Sequence, residues 1–305
     1  MAPLPETRIT QAKAFLHSAV DFGGPFLITL SRHRGVKSCK AYICVFVCLA
    51  TKAVHVELAS DLSAEIFLAA LQRFVARRGR VSTIFCDNAT NFVGASKQLK
   101  LIKDAAEQER IKFVFSPPSG PHFNGLAEAG IKSVKLHLTK VIGDQILSYE
   151  EFNTILTLIE SSLNSRPLTP LSSDVDSIDA LTPGHFLTLE PPSVVPTPDF
   201  SNCSMNRLSR WQLLQRIHQD FWRRWRREYL HTLQQRSKWL DFTSPPRLGS
   251  LVLIKEDNLP PGKWSLARIV ALHPGDDNVT RVATVKTISG FLTRPLVKLC
   301  PLPVE

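Results

Sequence analysis

Three strand-like runs follow one another closely between residues 19 and 60: "AVDFGGPFLITL", "KSCKAYICVFVCLA" and "AVHVELAS". Each is rich in β-branched and aromatic residues, which suit extended backbone. The second and third are joined by the short turn Thr51-Lys52. Strands spaced this closely imply an antiparallel meander, the first of them interrupted by Gly-Gly-Pro. The period then changes. "SAEIFLAALQRFVARRG" places Ile66, Leu68, Ala69, Leu71, Phe74 and Val75 at roughly helical spacing, with Gly79 as the stop. "VSTIFCDNATNF" reads as a fourth strand, "NFVGASKQLKLI" as a second helix and "IKFVFS" as a fifth strand. The breaker-rich loop "SPPSGPHFNG" follows, then two helices, "LAEAGIKSVKLHLTKVI" and "YEEFNTILTLIESSLNS".

This order, β-β-β-α-β-α-β-α-α, is that of a ribonuclease H-like α/β fold, a mixed five-stranded sheet with helices on its faces. It is expected over residues 15–166, after an N-terminal extension at 1–14. Residues 167–204 form a Pro- and Ser-rich connector. In the segment 205–242, Trp211, Leu214, Ile217, Phe221, Trp225, Tyr229 and Leu233 recur at three or four residues. That spacing predicts a long helix with an apolar stripe, the remainder covered largely by Arg216, Arg223, Arg224, Arg226 and Arg227. Residues 243–305 alternate in short strands, separated by the turns Pro260-Pro261-Gly262 and Pro274-Gly275-Asp276-Asp277. A small β-barrel of SH3-like size is expected there.

Charge is unevenly placed. Residues 1–200 carry 20 Lys/Arg against 19 Asp/Glu, whereas residues 201–305 carry 17 against 8. The excess in the last third points to a polyanion, nucleic acid before a membrane surface. The longest apolar run, "AYICVFVCLA", is too short to span a bilayer, and no membrane partner is expected. Cys44 and Cys48 share one face of their strand and Cys39 takes the other, so packing in a reducing compartment is the expectation rather than a disulfide scaffold. No His/Cys spacing suits zinc, and no zinc site is expected.

Asp87 ends the apolar fourth strand, where desolvation is costly unless the carboxylate finds a partner. In a sheet of this order the middle of the first strand lies beside the C-terminal end of the fourth, so Asp21 could face Asp87. Glu128, about one turn into its helix, is the candidate for a third carboxylate. Two Mg²⁺ or Mn²⁺ ions held about 4 Å apart by such a set activate a water or hydroxyl at a phosphodiester. Each residue also has an ordinary reading. Asp21 could sit at a bulge beside Gly23 and Gly24, Asp87 could cap the helix near Asn91, and Glu128 could complement a helix dipole.

The motifs "VDFGGP", "CDNATNFVGA", "PHFNGLAEAGIKSVK", "LNSRPLTPLSSDVDSIDALTPGHFL", "RWQLLQRIHQDFWRRWRREYL" and "GSLVLIKEDNLPPGKWSLARIV" occur in one order across about residues 15–302. In them the chain resembles the integrase of BEL/Pao-type LTR retrotransposons, relatives of retroviral integrases. The resemblance implies that Asp21, Asp87 and Glu128 are a metal-binding catalytic triad. It implies end-processing of element DNA and attack of the new 3′-hydroxyl on target DNA, in the nucleus, after a possible cytoplasmic particle stage. A homo-oligomer is implied as well. The zinc-binding domain that normally precedes such a core has no counterpart in these residues. Ala89 stands where the wider family often has Gly, in a turn that would be strained if it needed positive φ. Ala127 replaces a bulky aromatic, and Gly130 should cost its helix about 1 kcal/mol relative to Ala.

Lys132 and Lys135 fall four and seven positions after Glu128, on one helical face with it, and are candidates for phosphate contacts. Asn88, Asn91, His122 and Asn124 are candidates for binding the strand near the scissile bond. The long helix's stripe is expected to pack, with Arg223, Arg224 and Arg227 on phosphates and Trp222 or Trp225 as possible stacking platforms. Two other functions compete: an inactive or host-adopted DNA-binding remnant, and a ribonuclease H-like hydrolase using Glu65 as a fourth carboxylate.

Overall fold

The computed structural model describes residues 10–33, 35–101, 111–115, 125–172, 174, 176–234, 247–277 and 279–303, and of residues 100–101, 125–131 and 133 the backbone alone. The first sheet is built on strand β1 (His17–Thr29), which pairs antiparallel with β2 (Ser38–Cys48), itself antiparallel to β3 (Val54–Ala59). On the other side of β1 lie β4 (Thr83–Cys86) and then β5 (Lys112–Phe115), both parallel to it. The order is β3-β2-β1-β4-β5, a mixed sheet. A sixth strand, β6 (Leu147–Ser148), pairs with Ile28 and Thr29, so the expected five-stranded sheet is longer by one short piece.

The Gly-Gly-Pro interruption becomes a β-bulge. Gly23 pairs with Ile43 and Phe26 with Ala41, three steps against two. Gly24 takes φ +132°, and a Cβ there would meet the Ala41 carbonyl at 3.1 Å, so glycine is required at this close approach.

Alternation along the strands feeds two cores. Helices α1 (Ala64–Arg78) and α2 (Thr90–Leu101) cover one face. There Val20, Cys44, Phe46 and Cys86 pack with Phe67, Leu71, Phe74 and Phe92. Helices α3 (Gly125–Ile142) and α4 (Tyr149–Asn164) cover the other. There Ala19, Ile28, Ile43 and Val45 meet Val134, Leu138, Phe152, Ile155 and Ile159.

β3 is an edge strand, and its outer backbone groups are closed by α4 side chains. Val54 N–H donates to Asn164 Oδ1 and Asn164 Nδ2 donates to Val54 O, each at 2.8 Å. Val56 N–H donates to Glu160 Oε2 at 2.8 Å. Such an edge is blocked against pairing with another chain. On the α1 side of the strand, His55 and Glu57 are buried and meet Arg73, Arg77, Arg78 and Glu160. Burial alone would lower the His55 pKa, but hydrogen bonds to Glu160 and Glu57 raise it overall.

Between α4 and the second sheet runs a connector. It holds a small ribbon of β7 (Thr169–Pro170) and β8 (Ala180–Leu181) and the short helix α5 (His185–Thr188). Helix α6 (Arg210–Leu233) opens with a Ser209/Gln212 capping box. Its buried residues include Leu213, Leu214, Ile217, Phe221, Trp222, Trp225 and Leu230, a wider surface than the expected stripe. Trp211, expected in that stripe, is instead 62% exposed. Trp222, offered as a stacking platform, is buried, and its indole donates to Leu259 O at 3.1 Å. Trp225 is buried beside it and stacks on Tyr229. These rings close on Trp264, whose indole donates to Ser165 Oγ at 3.2 Å beyond α4. Neither Trp222 nor Trp225 faces solvent, because α6 has helices on one side and the second sheet on the other.

The second sheet is antiparallel, in the order β12-β11-β10-β9-β13. Its strands are β9 (Leu251–Ile254), β10 (Leu266–Pro274), β11 (Thr280–Thr287), β12 (Gly290–Pro295) and β13 (Leu299–Pro301). The last sequence run thus divides into two strands. Val252, Ala267, Ile269, Ala283 and Val285 form its inner core. No closing ladder joins β12 to β13 among the described residues. Arg268, 4% exposed, donates to the carbonyls of Ser172, Ser177 and Gly249 and so ties the connector to this sheet.

His218 sits in the α4–α6 interface, its Nε2 2.8 Å from Ser162 Oγ. Burial pushes its pKa down to about 4, only partly opposed by a hydrogen bond to the Leu158 backbone. A group neutral when folded but titrating near 6.5 when unfolded contributes stability above pH 6.5 and loses it as pH falls toward 4. The loss expected from this one group is about 3 kcal/mol. Denaturant unfolding of the wild type and His218→Gln at pH 7 and pH 4.5 checks it: the variant should lose markedly less stability on acidification. Asn164→Ala leaves two buried backbone groups of Val54 unpaired and should cost about 2–4 kcal/mol in the same measurement.

Candidate active site

The β1–β4 ladder sets the geometry. His17 pairs with Thr83, Ser18 with Ile84 and Ala19 with Phe85, in parallel register. The ladder ends there: Asp21 lies two residues past Ala19 along β1, and Asp87 is the first residue past β4. Adjacent strands lie about 4.8 Å apart, which sets the spacing of the two backbones. Ala19 and Phe85 both pack on the α3 and α4 side of the sheet. With a period of two, Asp21, inside β1, belongs to that side as well.

Asp21 is half-buried and already has two partners. Its Oδ1 accepts the Phe22 N–H at 2.7 Å, and its Oδ2 accepts Lys135 Nζ at 2.6 Å. Asp87 is exposed, and its Oδ1 accepts the Ala89 N–H at 3.0 Å, a turn of the Asx type. The helix begins with Phe92 and Val93 N–H both donating to Ala89 O. Among the described residues the non-glycine positive-φ positions are Phe15, Lys52 and Leu189, so Ala89 carries none of the strain that a positive φ would bring.

Glu128 lies in α3, about one turn from Gly125. Its side chain, like that of Ala127, lies outside the described residues. Lys135 is two turns later in the same helix, so the backbone of residue 128 is on the stripe that carries Lys135, about 10 Å nearer the helix start. Gly130 is accommodated within the helix.

The carboxylates of Asp21, which already holds an ammonium, and of Asp87 are hard oxygen donors of the kind suited to Mg²⁺ or Mn²⁺. No group of three His, Cys, Asp or Glu that could hold a metal ion is found among the described residues. A third ligand from position 128 therefore lies outside what they contain. Glu65 is exposed in the first turn of α1, a helix packed on the opposite face of the sheet from Asp21.

The residues considered for nucleic acid separate by burial. Lys132 and Asn88 are exposed. Asn91 is withdrawn from solvent at 5% exposure, with Oδ1 accepting the Phe92 N–H, so it does not offer the strand contact considered for it. His122 and Asn124 lie outside the described residues. On α6, Arg224 and Arg227 are exposed, while Arg223 is half-exposed and donates to Asp220 at 2.9 Å. Arg226 is buried against the Glu256 carbonyl and over Trp222, a packing residue rather than a surface charge. The partner missed in the sequence is Lys135 as the counter-ion of Asp21. The signal for it was Gly23: a glycine inside a strand marks the close approach of something else.

Residues 209–302, which span α6 and the second sheet, match the model of a family of unknown function, DUF5641. No curated protein matches the chain. Among solved structures the chain is similar to one described as the cryo-EM structure of the simian T-cell lymphotropic virus intasome in complex with PP2A regulatory subunit B56 gamma. That similarity has 13% identity and a TM-score of 0.42, over 100% of this chain and 85% of that one.

Proposed function

We propose that the chain is an integrase-type DNA strand transferase of the Asp-Asp-Glu kind, built on a ribonuclease H-like core. The observation that carries this reading is the parallel ladder of β1 and β4 from His17–Thr83 to Ala19–Phe85, which, if continued in step, would bring Asp21 beside Asp87. The strand order, with an antiparallel meander followed by two parallel strands, agrees with that core. So does the resemblance of the sequence motifs to BEL/Pao-type elements.

Asp21, Asp87 and Glu128 would hold Mg²⁺ or Mn²⁺, two ions on this reading. Such ions supply a more acidic water or hydroxyl and a counter-charge for the leaving oxygen. In the first step water attacks a phosphodiester near the end of the element DNA. The P–O3′ bond breaks, leaving a free 3′-hydroxyl. In the second step that hydroxyl attacks a target phosphodiester, a new P–O bond forms and the target's P–O3′ bond breaks. The number of phosphodiester bonds is unchanged by the transfer, so no external energy source is needed. Lys132, Asn88, His122 and Asn124 would meet phosphates near the scissile bond. Arg224 and Arg227 on α6 would extend the contact along the duplex, with Arg223 shared between Asp220 and the DNA. Action on chromosomal DNA in the nucleus, as a homo-oligomer, belongs to the same proposal.

The test is incubation of the full chain with short duplexes and Mg²⁺ or Mn²⁺, reading nicked and joined products. Divalent-dependent products are expected from the unmutated chain and none above background from Asp87→Asn. If the unmutated chain yields no product yet still binds duplex, it is a DNA-binding remnant. Arg224→Gln/Arg227→Gln should weaken duplex binding about equally for all sequences. It should also reduce the slope of log affinity against log salt by about 2. An unchanged slope removes those two residues from the interface.

A further inference from the structure

The Lys135 ammonium donates to Asp21 Oδ2 at 2.6 Å, and the two side chains are 27% and 37% exposed. A surface pair of this kind ordinarily samples many rotamers and contributes little. Here the path of the stem is set by the strand beneath it. A Cβ on residue 23 would lie 2.7 Å from Lys135 Cγ, 3.0 Å from Cδ and 2.9 Å from Cε. Three successive carbons at that separation describe a side chain laid along a trough, which exists because residue 23 has no side chain. The trough leads to one atom, the outer oxygen of Asp21, since the other is engaged by the Phe22 N–H.

That oxygen is also the one through which Asp21 would bind a divalent ion, at about 2.1 Å. An ion there and an ammonium nitrogen 2.6 Å from the same oxygen would be no more than about 5 Å apart, like charges competing for the same lone pairs. They exclude one another.

We infer that Lys135 is a displaceable internal counter-ion: it fills the cation position at Asp21 and must leave along the Gly23 trough before a divalent ion binds. The inference rests on Asp21 being a metal ligand, as proposed above. It makes Lys135 a positioning residue whose ammonium tunes the metal affinity of the site. The alternative role is a plain strut between α3 and β1.

Mn²⁺ alone, titrated into the full chain by calorimetry and by the electron paramagnetic resonance of the free ion, separates the two roles. Lys135→Met keeps the length of the stem and removes the charge. It should tighten Mn²⁺ binding by roughly two- to five-fold, the range of a half-exposed ion pair. Its unfolding midpoint should fall without Mn²⁺ and return to that of the wild type at saturation. Gly23→Ala keeps the charge and fills the trough, and should shift affinity in the same direction. Binding by Lys135→Met where the wild type shows none is the extreme form of the same result. Unchanged or weaker binding by Lys135→Met, with Asp21→Asn still abolishing it, overturns the inference and leaves the functional reading standing. No Mn²⁺ binding by either chain, or equal binding by Asp21→Asn, overturns both.

Discussion

Three backbone pairings between β1 and β4 govern where the candidate chemistry sits. The ladder from His17–Thr83 to Ala19–Phe85 fixes both register and facing, because a slip of one residue would turn every side chain to the opposite face. That slip is opposed from both sides. Ala19 belongs to the α3 and α4 core, whereas Val20, Ile84 and Cys86 belong to the α1 and α2 core. The cost of exposing those apolar residues therefore holds the register of the two strands from which Asp21 and the turn carrying Asp87 continue.

Ionic groups elsewhere follow the rule that a buried charge needs partners. Glu57 is surrounded by His55, Arg73 and Arg77, and its pKa is lowered although burial opposes this, with the His55 and Arg73 hydrogen bonds outweighing it. Glu151, at the start of α4, receives Arg32 and Arg210 and also closes a capping box with Ser148. This brings the end of β1 and the start of α6 to one helix terminus. Removing a single partner from such a cluster leaves an uncompensated charge, so these groups hold relative positions more than they add stability.

Helix α6 joins the two sheets through apolar contact. Its Leu214, Ile217 and Phe221 belong to the first core, while Leu230 packs with Leu251, Leu253 and Cys300 of the second sheet. The connector is held too. Gln219 bonds to Phe200 N–H and Pro198 O, and Arg216 donates to the carbonyls of Phe200, Ser201 and Cys203. The exposed Arg224 and Arg227 of α6 are thereby held on a helix fixed against the sheet that carries Asp21.

The strand meander, the helices on "SAEIFLAALQRFVARRG" and "YEEFNTILTLIESSLNS", and the turn after the fourth strand were legible because local periodicity and breakers decide them. The distribution of charge was equally plain, since it needs no coordinates. Side-chain environment was another matter. Trp211 and Trp222 lie on one helix with similar chemistry, yet one is exposed and the other buried, because a second sheet docks on a face that helical spacing alone leaves open. Asn91 and Asn88 are near neighbours on opposite sides of a burial boundary. The edge closure by Asn164 and Glu160 spans more than a hundred residues of chain and has no local signal. So the sequence by itself determined the elements, their order and the acidic residues available to them. The register between β1 and β4, and that Lys135 reaches Asp21 across Gly23, were decided only by tertiary packing, because parallel register and close approach are properties of two segments and not of either one.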